Sequence, residues 1–204
     1  MGRIAVILLA AGAGTRMGED KLALCLGGRS LLGHALAAWG AWGEPCARIL
    51  VTRPERIPPP EASGWRFVEN QRWADGMGTS LAAGVAAVEA EAYLFGLADM
   101  PVLDPATPAA LLAAWRAGAG PLVRPTFRGR PGHPVLADAC LQERLLACTG
   151  DEGARGLIRA LGCALVPVED PGAVLDVDRI QDLAGLQVRE GALHWKEARW
   201  PSPS

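Results

Sequence analysis

The chain has 204 residues, half of them hydrophobic and 21% charged, with a formal net charge of −2, so it has the size and composition of one globular domain rather than a disordered or collagenous chain. No basic field for nucleic acid is visible, and no apolar run reaches the roughly 20 residues that a membrane-spanning helix needs. Five cysteines (Cys25, Cys46, Cys140, Cys148 and Cys163), odd in number and without a C-x-x-C pair, indicate neither a disulfide framework nor a zinc cage and fit a reducing, cytoplasmic setting.

Apolar, β-branched runs alternate with helical stretches, which predicts an α/β protein with a mostly parallel sheet covered on both faces. In chain order, strands are expected at Ile4–Leu9, Arg48–Thr52, Arg66–Glu69, Tyr93–Leu97, Leu122–Pro125, Val135–Ala137, Cys163–Val168 and Ala173–Leu175. Helices are expected at Leu31–Trp42, Ser80–Ala90, Pro108–Ala117, Leu141–Ala147, Ala154–Leu161 and Ile180–Gln187. The first run also has the outline of a signal-peptide core, but it reads better as a buried strand entering a glycine-rich turn. Pro54 to Gly64, with three consecutive prolines at Pro58–Pro60, is a rigid connection inside one domain spanning residues 1–190. Residues 191–204 lack periodicity and are expected to fray as a C-terminal tail.

The chemistry gathers at the ends of strands. After the first strand comes Leu9-Ala10-Ala11-Gly12-Ala13-Gly14-Thr15-Arg16-Met17-Gly18, followed by Lys21. Glycines in such a turn let backbone N–H groups approach phosphate oxygens, because no Cβ intervenes. The spacing G-x-G-x-x-x-G is one residue longer than the dinucleotide fingerprint, and no G-K-[ST] is present. The acid expected near the end of the second strand for a ribose is absent from Leu50-Val51-Thr52-Arg53, which argues against a dinucleotide site. Arg16 and Lys21, both expected at the surface, have a spacing suited to a triphosphate. Asp99 follows the apolar run Tyr93–Ala98, at the strand end where a carboxylate can hold Mg²⁺ that also binds substrate phosphates. Asp176 and Asp178 alternate onto one side after a further short strand and could face the same metal, although Asp178 could equally cap a helix beginning near Arg179.

These segments resemble the MobA-like nucleotidyltransferases, and within them the CTP:molybdopterin cytidylyltransferases. The resemblance rests on the first motif together with Asn70-Gln71-x-Trp73-x-x-Gly76-Met77-Gly78-x-Ser80, Asp99-Met100-Pro101, Gly132-His133-Pro134, Gly150-Asp151-x-Gly153-Ala154-Arg155 and Asp176-Val177-Asp178, in that order along the chain. It implies a three-layer α/β/α sandwich, Rossmann-like and of the nucleotide-diphospho-sugar transferase type. The activity it implies is Mg²⁺-dependent transfer of CMP from CTP to the terminal phosphate of molybdenum-molybdopterin, with a molybdoenzyme as recipient of the product. Carried over residue by residue, Leu9, Ala10, Ala11, Gly12 and Gly14 cradle the nucleotide, and Arg16 and Lys21 clamp its triphosphate. Asn70, Gly76, Met77 and Ser80 close over it. Asp99, Asp176 and Asp178 bind metal, while His133, Asp151 and Arg155 meet the phosphorylated pterin. Two features depart from the pattern or fall short of diagnosis: Arg179-Ile180-Gln181-Asp182 stands where the family has Thr-Pro-Glu-Asp, and the Gly76–Ser80 loop does not fix the acceptor. Related guanylyltransferases carry Leu-Ala-Gly-Gly where this chain has Leu9-Ala10-Ala11-Gly12. The competing readings are guanylyl or other nucleotidyl transfer to a different phosphorylated acceptor, a NAD(P)-dependent reductase, and a non-catalytic maturation factor for a molybdoenzyme.

Overall fold

A computed structural model of the chain describes residues 3–12, 20–189 and 191–196. Strand β1 (Ile4–Ala10) is buried at all seven positions, as expected for a central strand covered on both faces. A short hairpin, β2 (Cys25–Leu26) and β3 (Arg29–Ser30), leads into helix α1 (Leu31–Gly40), where the Ser30 hydroxyl caps the first turn by accepting from the Gly33 amide at 3.0 Å. Strand β4 (Cys46–Thr52) and strand β5 (Arg66–Glu69) follow, then helix α2 (Met77–Ala86), strand β6 (Ala92–Leu97) and helix α3 (Ala106–Arg116). The second half comprises β7 (Leu122–Phe127), β8 (Arg130–Pro131), β9 (Val135–Asp138), helices α4 (Gln142–Leu146) and α5 (Arg155–Leu161), β10 (Ala164–Pro167), α6 (Ile180–Leu183), and the hairpin β11 (Leu186–Arg189) and β12 (Ala192–Trp195).

The main sheet runs β10-β7-β9-β6-β1-β4-β5, with β8 attached to β7. Along that path only β9 is reversed, pairing antiparallel with both β6 and β7. β1 pairs in parallel with β4 and β6, placing Ala10 beside Thr52 and Leu9 beside Leu97. The carboxyl ends of these strands therefore share one edge, where ligands bind in open parallel sheets.

Period-two alternation along β1 sends Ile4, Val6, Leu8 and Ala10 to one face with Leu32, Leu36 and Trp39 of α1 and Leu111 and Leu112 of α3. Ala5, Ile7 and Leu9 go to the other face with Leu81 and Val85 of α2, Leu145 of α4 and Leu157 of α5. Each fully buried Leu or Ile contributes about 1.5–3 kcal/mol, and the two apolar layers make a three-layer α/β/α sandwich. Gly96 of β6 allows the close approach of α1, because a Cβ there would meet the Trp39 ring at 2.7 Å. Among the described residues no helix is long and apolar enough to cross a membrane.

Three expectations are corrected at the C-terminal end. Ala173–Leu175 is not a strand: Pro171–Val174 forms a 3₁₀ turn, because the Asp170 carboxylate accepts from the Gly172 amide at 2.8 Å and curls the chain. The helix expected over Ile180–Gln187 ends at Leu183, and Leu186–Arg189 pairs instead with Ala192–Trp195. Of the segment expected to fray, Gly191–Lys196 is ordered: Leu193 is buried with Leu31, Val177 and Leu186, and burial of these apolar side chains outweighs the weak local signal.

Candidate active site

β1 delivers Leu9, Ala10, Ala11 and Gly12 to a cavity of about 440 Å³ that opens at the carboxyl edge of the sheet. Of the residues expected from the sequence, Leu9, Ala10, Ala11, Gly12, Lys21, Gly76, Met77, Ser80, Asp99 and Asp151 line it together. A Cβ at Gly12 would meet nothing within 4 Å among the described residues. Gly14 and Arg16 lie outside the described residues. Trp73 also lines the cavity. It sits in the Asn70–Ser80 motif, but no residue-level signal distinguished it from a core aromatic. A larger cavity of about 780 Å³ lies beyond Leu22 and Trp73 around Asp20, Arg53 and Arg56, and it contains none of Asp99, Asp176 and Asp178.

The opposite wall is built on close backbone approach. Gly76 has φ +105°, open to glycine and strained for other residues, and a Cβ there would collide with the Gly150 carbonyl. Two residues on, the Gly78 amide donates to the Gly150 oxygen at 2.7 Å. The loop that opens α2 is thereby locked to Thr149–Asp151, bringing Asp151 to the cavity. Asn70 is buried and does not line the cavity: its amide donates to Thr79 Oγ1 at 2.8 Å and Ser80 Oγ at 2.9 Å, while its Oδ1 accepts from the Arg72 amide at 2.9 Å. Asn70 fixes the loop from beneath.

Lys21 differs from expectation. Its side chain is only 15% exposed, and its ammonium donates to Asp99 Oδ2 at 2.9 Å and Asp178 Oδ1 at 3.0 Å. Burial alone would lower its pKa, but the two carboxylates outweigh that and raise it above the ordinary lysine value. Asp20 holds the turn that carries Lys21. It accepts from the Leu22 amide at 3.2 Å and pairs with Arg53 at 3.2 Å and Arg56 at 2.8 Å. Asp20 was not singled out from the sequence, although Asp before a tight turn is an ordinary capping signal.

Asp99 leaves β6 at the sheet edge, and its backbone carbonyl accepts from the Val177 amide at 2.8 Å. That bond brings the Asp176–Asp178 segment alongside. The N-cap residue of α6 is Arg179, and the Asp182 carboxylate accepts from the Asp178 and Arg179 amides at 3.0 and 2.7 Å, while the Asp178 carboxylate pairs with Lys21. The pKa of Asp176 is raised by burial and then by the negative charges of Asp178 and Asp99. Among the described residues, Asp99 Oδ1 is buried with no hydrogen-bond partner. Among the described residues no three His, Cys, Asp or Glu side chains converge closely enough to enclose a metal ion, since the Lys21 ammonium stands between Asp99 and Asp178. The orphaned Asp99 oxygen and the hard-oxygen donors nonetheless fit a divalent cation that takes one or two carboxylates from the protein and its other ligands from phosphate and water.

His133 does not present a charge to an anion. Its Nδ1 is buried without a partner among the described residues, its amide donates to the Ala173 carbonyl at 2.7 Å, and its pKa is lowered to about 4, by burial first and then by the positive charge of Arg124. Arg124 donates through Nε and Nη2 to the Gly132 carbonyl at 3.1 and 3.0 Å. Arg155, the first residue of α5, is exposed and near enough for its charge to act on both His133 and Arg124.

The chain belongs to the family of the MobA-like NTP transferase domain, whose model matches residues 6–165. It is 31% identical over 195 residues to the nicotine blue oxidoreductase of Paenarthrobacter nicotinovorans, covering 88% of this chain and 94% of that protein. It is 27% identical over 195 residues to the molybdenum cofactor cytidylyltransferase of Escherichia coli (strain K12), covering 93% and 98%. In fold it is similar to the crystal structure of Rv0371c from Mycobacterium tuberculosis H37Rv, with a TM-score of 0.76 at 23% identity over 89% of this chain and 96% of that one. The same mycobacterial protein has a structure in complex with manganese, with a TM-score of 0.71 at 22% identity and coverage of 89% and 96%.

Proposed function

We propose that this chain transfers the cytidylyl group of CTP to the terminal phosphate of molybdenum-molybdopterin with release of pyrophosphate, assisted by Mg²⁺. The observation that carries the reading is the Lys21 ammonium held between Asp99 and Asp178 at the mouth of a glycine-edged cavity. A terminal phosphate oxygen of the acceptor attacks the α-phosphorus of CTP, forming a new P–O bond as the bond from the α-phosphorus to the bridging oxygen of the leaving pyrophosphate breaks. Because the nucleophile is already an anion, no covalent enzyme intermediate is needed, and catalysis reduces to positioning and charge neutralisation.

The backbone from Ala10 to Gly12 receives the nucleotide, with the Met77 amide at the start of α2 as a further donor to its negative groups, the Gly78 and Thr79 amides being bonded to Gly150 and Gly76. Lys21, and Arg16 by its place in the motif, hold the triphosphate. Asp99, with Asp176 or Asp178, would hold a divalent cation, which would supply neutralisation of the charge on the departing pyrophosphate. Asp151 and Arg155 stand on the acceptor side, where Arg155 supplies positive charge and His133 supplies shape. The Ala11 methyl narrows the slot beside the base and favours a pyrimidine over a purine by about 1–3 kcal/mol, the range for shape-based pocket discrimination.

The test is pyrophosphate release from purified protein with Mg²⁺, molybdopterin loaded with molybdenum, and each of the four NTPs in turn. CTP is expected to outpace GTP, and equal release from both with the acceptor saturating would refute the base assignment. The 31% identity to a protein named as an oxidoreductase supports a second reading, a NAD(P)-dependent reductase. Consumption of NAD(P)H with nicotine blue, with no pyrophosphate released from any NTP, would favour it.

A further inference from the structure

We propose that Asp170 is a positioning residue for the acidic site: its buried carboxylate fixes the strap Asp170–Asp178 against the loop that follows Asp99, and so sets where Asp176 and Asp178 stand relative to Asp99. The proposal rests on the reading that Asp99, with Asp176 or Asp178, binds a divalent cation. Asp170 is 4% exposed and lies outside the cavity that lines the nucleotide site. Its Oδ2 accepts from the Asp104 amide at 3.0 Å and the Thr107 hydroxyl at 2.8 Å, and its Oδ1 accepts from the Gly172 amide at 2.8 Å.

Three donors converge on two oxygens, a demand that a carboxylate meets and a neutral amide cannot, since an Asn in that place would turn its NH₂ toward donors. Burial pushes the carboxyl pKa of Asp170 up, and the bonds from Thr107, Asp104 and Gly172 oppose it. At the near end of the strap the Val177 amide bonds the Asp99 carbonyl at 2.8 Å, and midway the His133 amide bonds the Ala173 carbonyl at 2.7 Å. The strap lies so close to its neighbours that a Cβ at Gly172 would collide with the Val102 carbonyl, and one at Gly132 with the Ala173 carbonyl. Asp170 is thus the far anchor of a segment whose other end carries two of the three acids. A buried carboxylate is costly to keep in place, and here it joins the two loops that carry the site.

The test is Mn²⁺ binding in the presence of CTP, followed by electron paramagnetic resonance of the free ion, alongside thermal unfolding. The variants are Asp170→Asn, Thr107→Val, Thr107→Ser and Asp99→Asn. Asp170→Asn is expected to weaken Mn²⁺ binding by about tenfold, the low end of the effect of outer-shell partners. Thr107→Val is expected to weaken it by about threefold and Thr107→Ser, which keeps the hydroxyl, to stay near wild type. If Asp170→Asn does not fold, the two Thr107 variants carry the decision, because each removes or keeps a single bond to Oδ2. Wild-type Mn²⁺ binding in folded Asp170→Asn or in Thr107→Val, while Asp99→Asn is impaired, overturns the positioning role alone. Equal binding in wild type and Asp99→Asn overturns the metal reading beneath it, and the proposal with it.

Discussion

Acidification from pH 7.5 to 4.5 should destabilise this protein through His133 in particular. The imidazole titrates near 6.5 when the chain is unfolded and near 4 in the folded state, where burial and then the Arg124 charge hold it neutral, opposed in part by Asp99 and the Phe95 carbonyl. Between these values the unfolded chain holds the extra proton, so stability that is fully present above pH 6.5 is lost as the pH falls toward 4. The difference corresponds to about 3 kcal/mol, most of which is lost by pH 4.5. The carboxylates contribute their own slope over this range, so the informative quantity is the difference between wild type and His133→Gln, which has no titratable group at that position. Urea unfolding at pH 7.5, 6.5, 5.5 and 4.5 should show wild type losing about 2–3 kcal/mol more than His133→Gln across the series. Parallel stability curves for the two proteins would refute the claim that the fold lowers the pKa of His133.

Other outcomes follow from the site. Asp99→Asn keeps the size and removes the charge, so turnover should fall by at least about a hundredfold, and an unchanged rate with unchanged Mg²⁺ dependence would leave Asp176 and Asp178 as the only acidic candidates. Lys21→Ala removes the cation shared by Asp99 and Asp178, which should cut turnover with CTP by at least about tenfold, and wild-type kinetics in that variant would dismiss the clamp. Gly76→Ala places a side chain at φ +105° and against the Gly150 carbonyl, which should cost about 1–3 kcal/mol of stability and raise the KM for CTP, measured by denaturant unfolding and initial rates. A variant as stable as wild type would mean that the Gly76 and Gly150 loops are not locked together.

Local pattern carried much of the fold and the outline of the site. Ile4–Leu9 is a continuous apolar run, and its length and β-branched content already describe a strand buried on both faces. The glycine turn after it and Asp99 at the end of another apolar run place chemistry at the carboxyl edge of a sheet, because strand ends and tight turns are written in neighbouring residues. Ala173–Leu175 misled as a strand because short apolar runs look alike, and only the Asp170 carboxylate, three residues upstream and bound to a loop about sixty residues away, bends that segment into a turn.

What the tertiary structure alone decided is which polar groups meet. Lys21 reads as a solvated surface cation, and its partners lie 78 and 157 residues away in the chain. His133 reads as a loop histidine, but its low pKa comes from burial and from the Arg124 charge, which no spacing in its own loop encodes. Leu193 falls in a stretch without periodicity, yet it is buried against Leu31 from the far end of the chain. Propensity and pattern act over a few residues, whereas burial and charge pairing depend on distance in space. They become determinate only when the sheet order has brought remote segments to one edge.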